Sequence, residues 1–370
     1  MLKKLICALL ALMLTAGCAL AQTEVSGLTW ESELPVEYAD QFTVDFYEGG
    51  YALIQIVDGG AFLLVPEGMD APDGLSADVC VLKKPIDRMY LAATSAMALI
   101  DAVDGLGSVR LSSVDKSGWY VENAVAAMEK GDILFGGKYS EPDYELMVSE
   151  GCDLAVESTM IYHSPKVKEM IELLGIPVLV DSSSRESHPL GRSEWMKLYG
   201  VLLDRVDEAE AAFEKQAAIV RDLEGFENTG KTVAFFFINS EGSVVVRASS
   251  DYVPKMIELA GGKYIFDDIS DPESNRSTVA ITMEQFYAAA LDADYLVYNA
   301  TIDAPISSVD ELLAKSDLFA DFKAVKEGNV WCTGKSFYQA TDIVGEMIRD
   351  IHHVLTDGDE SAMTFLTKVS

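Results

Sequence analysis

Cysteine and histidine are scarce in this chain. Its 370 residues hold 5 Cys and 4 His. Cys7 and Cys18 stand near the start, and only Cys80, Cys152 and Cys332 follow. That odd number, with no Cys-x-x-Cys spacing, argues against a disulfide framework and a thiolate zinc site. Each of the three sits in a short apolar run, where a buried thiol is the ordinary reading. The histidines form no metal cage. His352 and His353 are neighbours on one helix and point in different directions, and His163 and His188 fall in separate loops. His163 or a tyrosine is still able to ligate a haem iron. Basic residues are also few: 28 Lys and Arg face 60 Asp and Glu, a formal charge of -32. Nucleic acid and anionic membrane surfaces carry the same sign and are repelled. No G-x-S-x-G elbow, H-E-x-x-H helix or P-loop occurs. Abundant carboxylates leave an exported paired-carboxylate hydrolase open on composition alone. No apolar run is long enough to span a bilayer.

What is present is a chain large and apolar enough for two cores, with 49% hydrophobic residues. Lys3 and Lys4 precede the apolar run Leu5 to Leu14, which is too short for a membrane span. Small residues follow. This is the pattern of a secretion signal over residues 1–21. Two processing sites fit. Ala16-Gly17-Cys18 is similar to a lipobox, with Thr15 where Leu is usual, and would place a lipid on Cys18. Ala19-Leu20-Ala21 fits ordinary cleavage and release. The expected location is extracytoplasmic, lipid-anchored at the cell membrane in the first case and secreted or periplasmic in the second.

Residues 42–65 alternate apolar and polar side chains across Glu48-Gly49-Gly50 and Asp58-Gly59-Gly60, which predicts a β-meander. From Met89 the grammar becomes strand then helix: strands at 89–93, 108–111, 153–156 and 176–180, helices at 95–103 and 164–174. Ser193 to Gly225 reads as one helix rich in Ala, Glu and Leu, with Ser193 as N-cap. About 30 residues at 1.5 Å each make a rod of roughly 45 Å. The grammar then repeats, with strands at 233–238, 244–246, 295–298 and 329–331 and helices at 252–259, 284–291 and 341–355. Lys168 to Gly175 is echoed by Lys255 to Gly261. The expected fold is α/β: two Rossmann-like lobes, residues 22–190 and 227–370, joined by one long interlobe helix over 191–226, with a ligand cleft between them. Repeated β-sandwich modules of an adhesive protein do not fit this alternation.

Ligands in open α/β lobes sit beyond the carboxyl ends of strands. That rule selects Thr94, Ser95, Thr159, Tyr162 and Arg185 in the first lobe. In the second it selects Arg247, Tyr298, Lys335 and Tyr338. The cations suit an anionic chelate, and the tyrosines suit a flat or catecholate ligand. The plainer alternatives are helix caps, solvated arginines and domain-edge packing.

The run Gly136-Gly137-Lys138-Tyr139-Ser140-Glu141-Pro142-Asp143-Tyr144-Glu145, then Asp153-Leu154-Ala155-Val156-Glu157, then Gly175-Ile176-Pro177-Val178-Leu179-Val180 carries a family resemblance. His188-Pro189-Leu190-Gly191-Arg192-Ser193-Glu194-Trp195 and the later Glu284-Gln285 extend it over nearly the whole mature chain. Together they resemble the periplasmic binding proteins for iron siderophores, haem and cobalamin, the helical-backbone class of ABC solute receptors. The resemblance implies a non-enzymatic, monomeric receptor that captures a small metal chelate, foremost an iron siderophore. It implies an ABC permease and its ATPase as partners. A haem or corrinoid is the alternative ligand. No resident cofactor or protein metal site is expected, since iron or cobalt would arrive with the ligand. One surface Glu from each lobe docks on permease arginines in this family, and the matching positions are Glu145 and Glu284. Each also lies in the first turn of a predicted helix, where negative charge meets the dipole favourably, and Thr282-Met283-Glu284-Gln285 reads as a capping box.

Overall fold

The computed structural model describes residues 25–270 and 276–370. The expected secretion signal and Cys18 lie outside the described residues. A first sheet contains β1 (Trp30–Glu33), β2 (Phe42–Tyr47), β3 (Tyr51–Ile56), β4 (Gly60–Val65) and β5 (Val79–Lys83) in sequential order. The first four strands are antiparallel, and β5 runs parallel to β4. Alternation gives this sheet two apolar faces. Val44, Ile54 and Leu64 join the main core, whereas Tyr47, Leu53 and Leu63 build a small core of their own. The β2–β3 reversal needs positive φ at Gly49 and Gly50, 87° and 83°.

The first lobe has strands β6 (Met89–Leu91), β7 (Val109–Ser112), β8 (Leu134–Phe135), a small hairpin β9 (Gly137–Lys138) and β10 (Glu141–Pro142), then β11 (Leu154–Ser158) and β12 (Val178–Asp181). Its main sheet is parallel throughout, in the order β12-β11-β6-β7-β8. Helices α1 (Thr94–Ala102), α2 (Glu122–Lys130), α3 (Tyr144–Ser149) and α4 (Pro165–Leu173) alternate with the strands. Apolar residues on both faces of β11 and β12 follow from this cover.

The expected single linking helix is two helices. They are α5 (Pro189–Leu203) and α6 (Val206–Asp222), separated at Asp204, which takes φ 57°. No Gly or Pro marks the break. Asp tolerates the left-handed region, and its carboxylate is held by Lys84 from the end of the first sheet. The Arg205 N–H donates to Gly200 O at 2.7 Å. A Cβ on Gly200 would lie 2.7 Å from the Ala209 Cβ, so that glycine permits α6 to fold back against α5. The N-cap is His188, not Ser193. Its Nδ1 accepts from the Leu190 N–H at 3.2 Å, and Pro189 occupies the first turn.

The second lobe has strands β13 (Thr232–Ile238), β14 (Val244–Arg247), β15 (Lys263–Tyr264), β16 (Thr278–Ile281), β17 (Tyr295–Tyr298), β18 (Val330–Thr333) and β19 (Leu366–Lys368). Its sheet runs β16-β14-β13-β17-β18-β19, with β15 also paired to β13. The helices are α7 (Tyr252–Leu259), α8 (Met283–Ala290), α9 (Val309–Leu313), α10 (Lys323–Glu327) and α11 (Val344–Thr356). Helix α5 is buried from Pro189 to Leu202. It packs on α1 of the first lobe and on α7 and α11 of the second. One apolar cluster therefore runs from Leu34 through Trp195 and Leu198 to Val369. The connection is a central slab rather than an exposed rod.

Candidate functional site

The entry to α5 fixes the first sheet to the lobes. Glu194, wholly buried, accepts the backbone N–H groups of Glu37, Tyr38 and Ala39 at 2.8–2.9 Å and pairs with Lys197 at 3.0 Å. Glu186 accepts from the Asp40 and Gln41 N–H groups and from the Trp195 indole at 2.9 Å. Burial outweighs those bonds and pushes the Glu186 carboxyl up to about 7. Gly191 has no room for a side chain, because a Cβ would lie 2.8 Å from Tyr38 O. Ser193 donates its hydroxyl to Thr341 O at 2.6 Å.

Loops that follow parallel strands of the two lobes meet. Gln339 follows β18 in the second lobe. Its Nε2 donates to Gly118 O and its Oε1 accepts from the Tyr120 N–H, both at 2.8 Å. Gly118 and Tyr120 lie in the loop after β7 of the first lobe. That bridge bounds one side of the interlobe region.

On the first-lobe half, Ser95 at the start of α1 shares a hydrogen bond with Ser183 at 3.2 Å, and Thr159 approaches Ser184 at 3.4 Å. Thr94 is exposed beside Ser95. The Arg185 guanidinium lies 5.6 Å from the Tyr162 ring centroid and 3.4 Å from an Asp58 oxygen. The Tyr162 hydroxyl donates to Asp58 O at 3.3 Å. Asp58 thus brings the tip of the β3–β4 hairpin to this rim. The turn at 58–60 was readable in the sequence, but its destination was not.

On the second-lobe half, buried Arg247 is gripped by Asp251: Nε to Oδ1 at 2.8 Å and Nη2 to Oδ2 at 2.7 Å. Burial works against the guanidinium charge, but Asp251 and Tyr338 reverse the balance and hold its pKa above the ordinary value. The remaining Nη1 donates to the Tyr338 hydroxyl at 2.9 Å, which also accepts from Asn299 Nδ2 at 2.9 Å. The Tyr252 ring lies under two guanidiniums, Arg192 at 4.2 Å and Arg247 at 5.7 Å. Lys335 is half-buried, one turn before Tyr338. Tyr298 is placed elsewhere. It is wholly buried among Phe236 and its neighbours, and its hydroxyl donates to Asp303 at 2.6 Å. Adjacent residues at a strand end point to opposite faces, so Asn299 reaches Tyr338 while Tyr298 enters the core. Asp251 also caps α7, accepting from the Val253 N–H at 3.0 Å. Nothing local signalled Gln339.

An open groove of ≈ 610 Å³ runs beside this cluster. Ser187, His188, Ser249, Asp251, Lys255 and Tyr264 are among the residues that line it. Of the expected ligand residues it meets only the neighbourhood of Arg247, through Asp251. Glu145 and Glu284 are both exposed in the first turns of α3 and α8. Asp143 caps α3, accepting from the Leu146 N–H at 2.9 Å, and the Thr282–Gln285 capping box closes α8. The backbone N–H of Glu284, followed by the Thr282 side chain, lowers the Glu284 carboxyl. Among the described residues no group of His, Cys, Asp and Glu could hold a metal ion, and no helix is long and apolar enough to cross a membrane.

Comparison with known proteins places this geometry in a family. An uncharacterized lipoprotein of Methanocaldococcus jannaschii, MJ0878, is 27% identical over 298 residues, covering 77% of this chain and 69% of the relative. The periplasmic haem-binding protein HutB of Vibrio cholerae superposes with a TM-score of 0.59 at 14% identity, over 73% of this chain and 99% of that one. The petrobactin-binding protein YclQ of Bacillus subtilis gives 0.59 at 13% identity, over 74% and 93%. These two likenesses concern the fold. The family model described as periplasmic binding protein matches residues 99–336, most of the chain. The chain therefore belongs to the periplasmic binding protein family, the solute-binding proteins of ABC importers, and is a binding protein rather than an enzyme.

Proposed function

We propose that the protein is the extracytoplasmic receptor for an iron chelate, a siderophore in the first instance, and delivers it to an ABC permease and its ATPase. What supports this reading is a pairing of guanidinium and aromatic ring beyond the strand ends of each lobe, Arg185 with Tyr162 in the first and Arg247 with Tyr338 in the second. Aromatic rings and guanidiniums in alternation suit a flat, electron-rich, anionic chelate. The two relatives of known fold are described as haem- and petrobactin-binding, so haem or a corrinoid is the second reading. In this proposal residues 22–190 and 227–370 act as the two lobes, with 191–226 between them. Thr94, Ser95, Thr159 and Lys335 line the cleft. A lipid on Cys18 tethers a monomer to the membrane, as the lipoprotein relative suggests. Glu145 and Glu284 dock on permease arginines, because two separated carboxylates fix both position and orientation.

The test is titration of the signal-free protein with ferric siderophores, haem and cobalamin, followed by tryptophan fluorescence. Saturable binding of one class is expected, and silence across all three defeats the reading.

A further inference from the structure

The segment after β18 holds the first lobe in two opposed ways. Gln339 attracts it: its side-chain amide donates to Gly118 O and accepts from the Tyr120 N–H, both at 2.8 Å. This bridge carries no charge and is the same at every pH. Just beyond it, a short 3₁₀ turn over Thr341–Ile343 packs on α1 of the first lobe and brings the Asp342 carboxyl within the field of Asp101, at the end of that helix. Both carboxylates are fixed in place. Asn123 Nδ2 donates to the two Asp101 oxygens at 3.0 and 3.1 Å, and Asn123 stands in α2 just after Tyr120. On the other lobe, the Ser193 hydroxyl donates to Thr341 O at 2.6 Å.

The charges around this contact do not compensate it. Helix α11 contributes Glu346, a further negative charge on Asp342, and α6 contributes Lys215, which opposes it. Lys215 and Arg349 each lie 4.0 Å from Glu346. Asp104, just past α1, adds its charge to Asp101. Helix α5 faces the turn with uncharged Ser193, and its own charges are engaged elsewhere, Glu194 with Lys197 and Arg192 on the Tyr252 ring. Among the described residues no cation forms an ion pair with Asp101 or Asp342. Two half-buried carboxylates from opposite lobes thus meet without a counter-charge of their own, and like charges so placed resist joint ionisation.

We propose that Gln339 and the Asp101–Asp342 carboxylates form one interlobe latch, closed by the amide bridge and loosened when both carboxylates are ionised. The latch acts on the lobes themselves and does not depend on the receptor reading. Burial, against the Asp342 backbone N–H, and then the Asp101 and Glu346 charges raise the Asp342 carboxyl from 3.8 to about 6. A group raised in the closed state supports that state fully below about pH 3.8, and the support is lost as pH rises through about 6. The lobes are therefore held more firmly in mild acid than at neutral pH. A gap of about two pH units sets a ceiling of about 100-fold on this effect.

The Tyr120 amide reports the latch directly, because Gln339 holds its proton. Its hydrogen exchange is followed on the unliganded, signal-free protein from about pH 4.5 to 6.5, with rates corrected for the intrinsic effect of pH. Protection in the parent is expected to fall about tenfold over that range relative to Asp342→Asn, which keeps the shape of the side chain and never ionises. Asp101→Asn should remove part of the same fall. Gln339→Ala should abolish the protection at every pH, which identifies the amide as a reporter of the bridge. Glu157 and Glu186 titrate in parent and Asp342→Asn alike and cancel in the comparison. Identical pH profiles in the parent and Asp342→Asn would overturn the latch, and so would Tyr120 protection that survives Gln339→Ala. No ligand enters the measurement, so a failure to bind any chelate would defeat the receptor reading and leave the latch standing.

Discussion

Glu157 offers the sharpest test of the buried electrostatics. It lies in β11, is wholly inaccessible, and neither carboxylate oxygen has a partner. Alternation along the strand puts it on the face of Ala155, in the apolar cluster with Tyr90, Val178 and Val180. Burial alone raises its pKa from 4.5 to about 8. Between those values the folded protein keeps a proton that the unfolded chain has released. Its contribution is thus complete below about pH 4.5 and is lost as pH rises to about 8. At about 1.4 kcal/mol for each pH unit, the full loss is roughly 5 kcal/mol. Glu157→Gln has nearly the same shape and never ionises. Urea unfolding of both signal-free proteins should agree within about 1 kcal/mol near pH 5. The variant should gain steadily with pH and lead by several kcal/mol near pH 9. Glu186 and Asp342, raised by burial to about 7 and about 6, titrate in both proteins and cancel in the difference. A difference that stays flat from about pH 5 to 9, or that favours the parent at high pH, would refute the assignment.

Other substitutions test the frame around the cleft. Asp251→Asn leaves the buried Arg247 guanidinium without its carboxylate, and should cost about 3–5 kcal/mol in denaturant unfolding. Gly345→Ala would set a Cβ 2.5 Å from Gln216 O, where α11 meets α6, and should lower stability by about 1–3 kcal/mol in a thermal melt. Charge reversal at both Glu145 and Glu284 should leave ligand affinity in solution unchanged and abolish stimulation of the reconstituted transporter. Retained stimulation would remove the docking role.

Much of the fold was legible because its signals are local. Strand β13 reads as the apolar run 233–238, one residue short of its observed start at Thr232, and β17 as Tyr295–Tyr298. The α8 capping box is spelled out by Thr282 and Gln285. Glu145 and Glu284 lie in the first turns of helices whose starts the sequence marks. The cleft residues were only partly legible. A strand-end rule chooses a loop but cannot say which side chain faces the partner lobe, and so it chose Tyr298 beside Asn299.

By itself the sequence determined the acidic α/β class and the strand-helix grammar. These depend on periodicity, capping and composition within a few residues of one another. Only the tertiary structure decided that the linking helix breaks at Asp204, that Arg185 meets a hairpin tip, that Glu157 is buried without a partner, and that Gln339 bridges the lobes. Lys84 and Asp204 are 120 residues apart, and Gln339 and Gly118 are 221 apart. Contacts over such separations arise from the packing of whole elements, and local propensity carries no record of them.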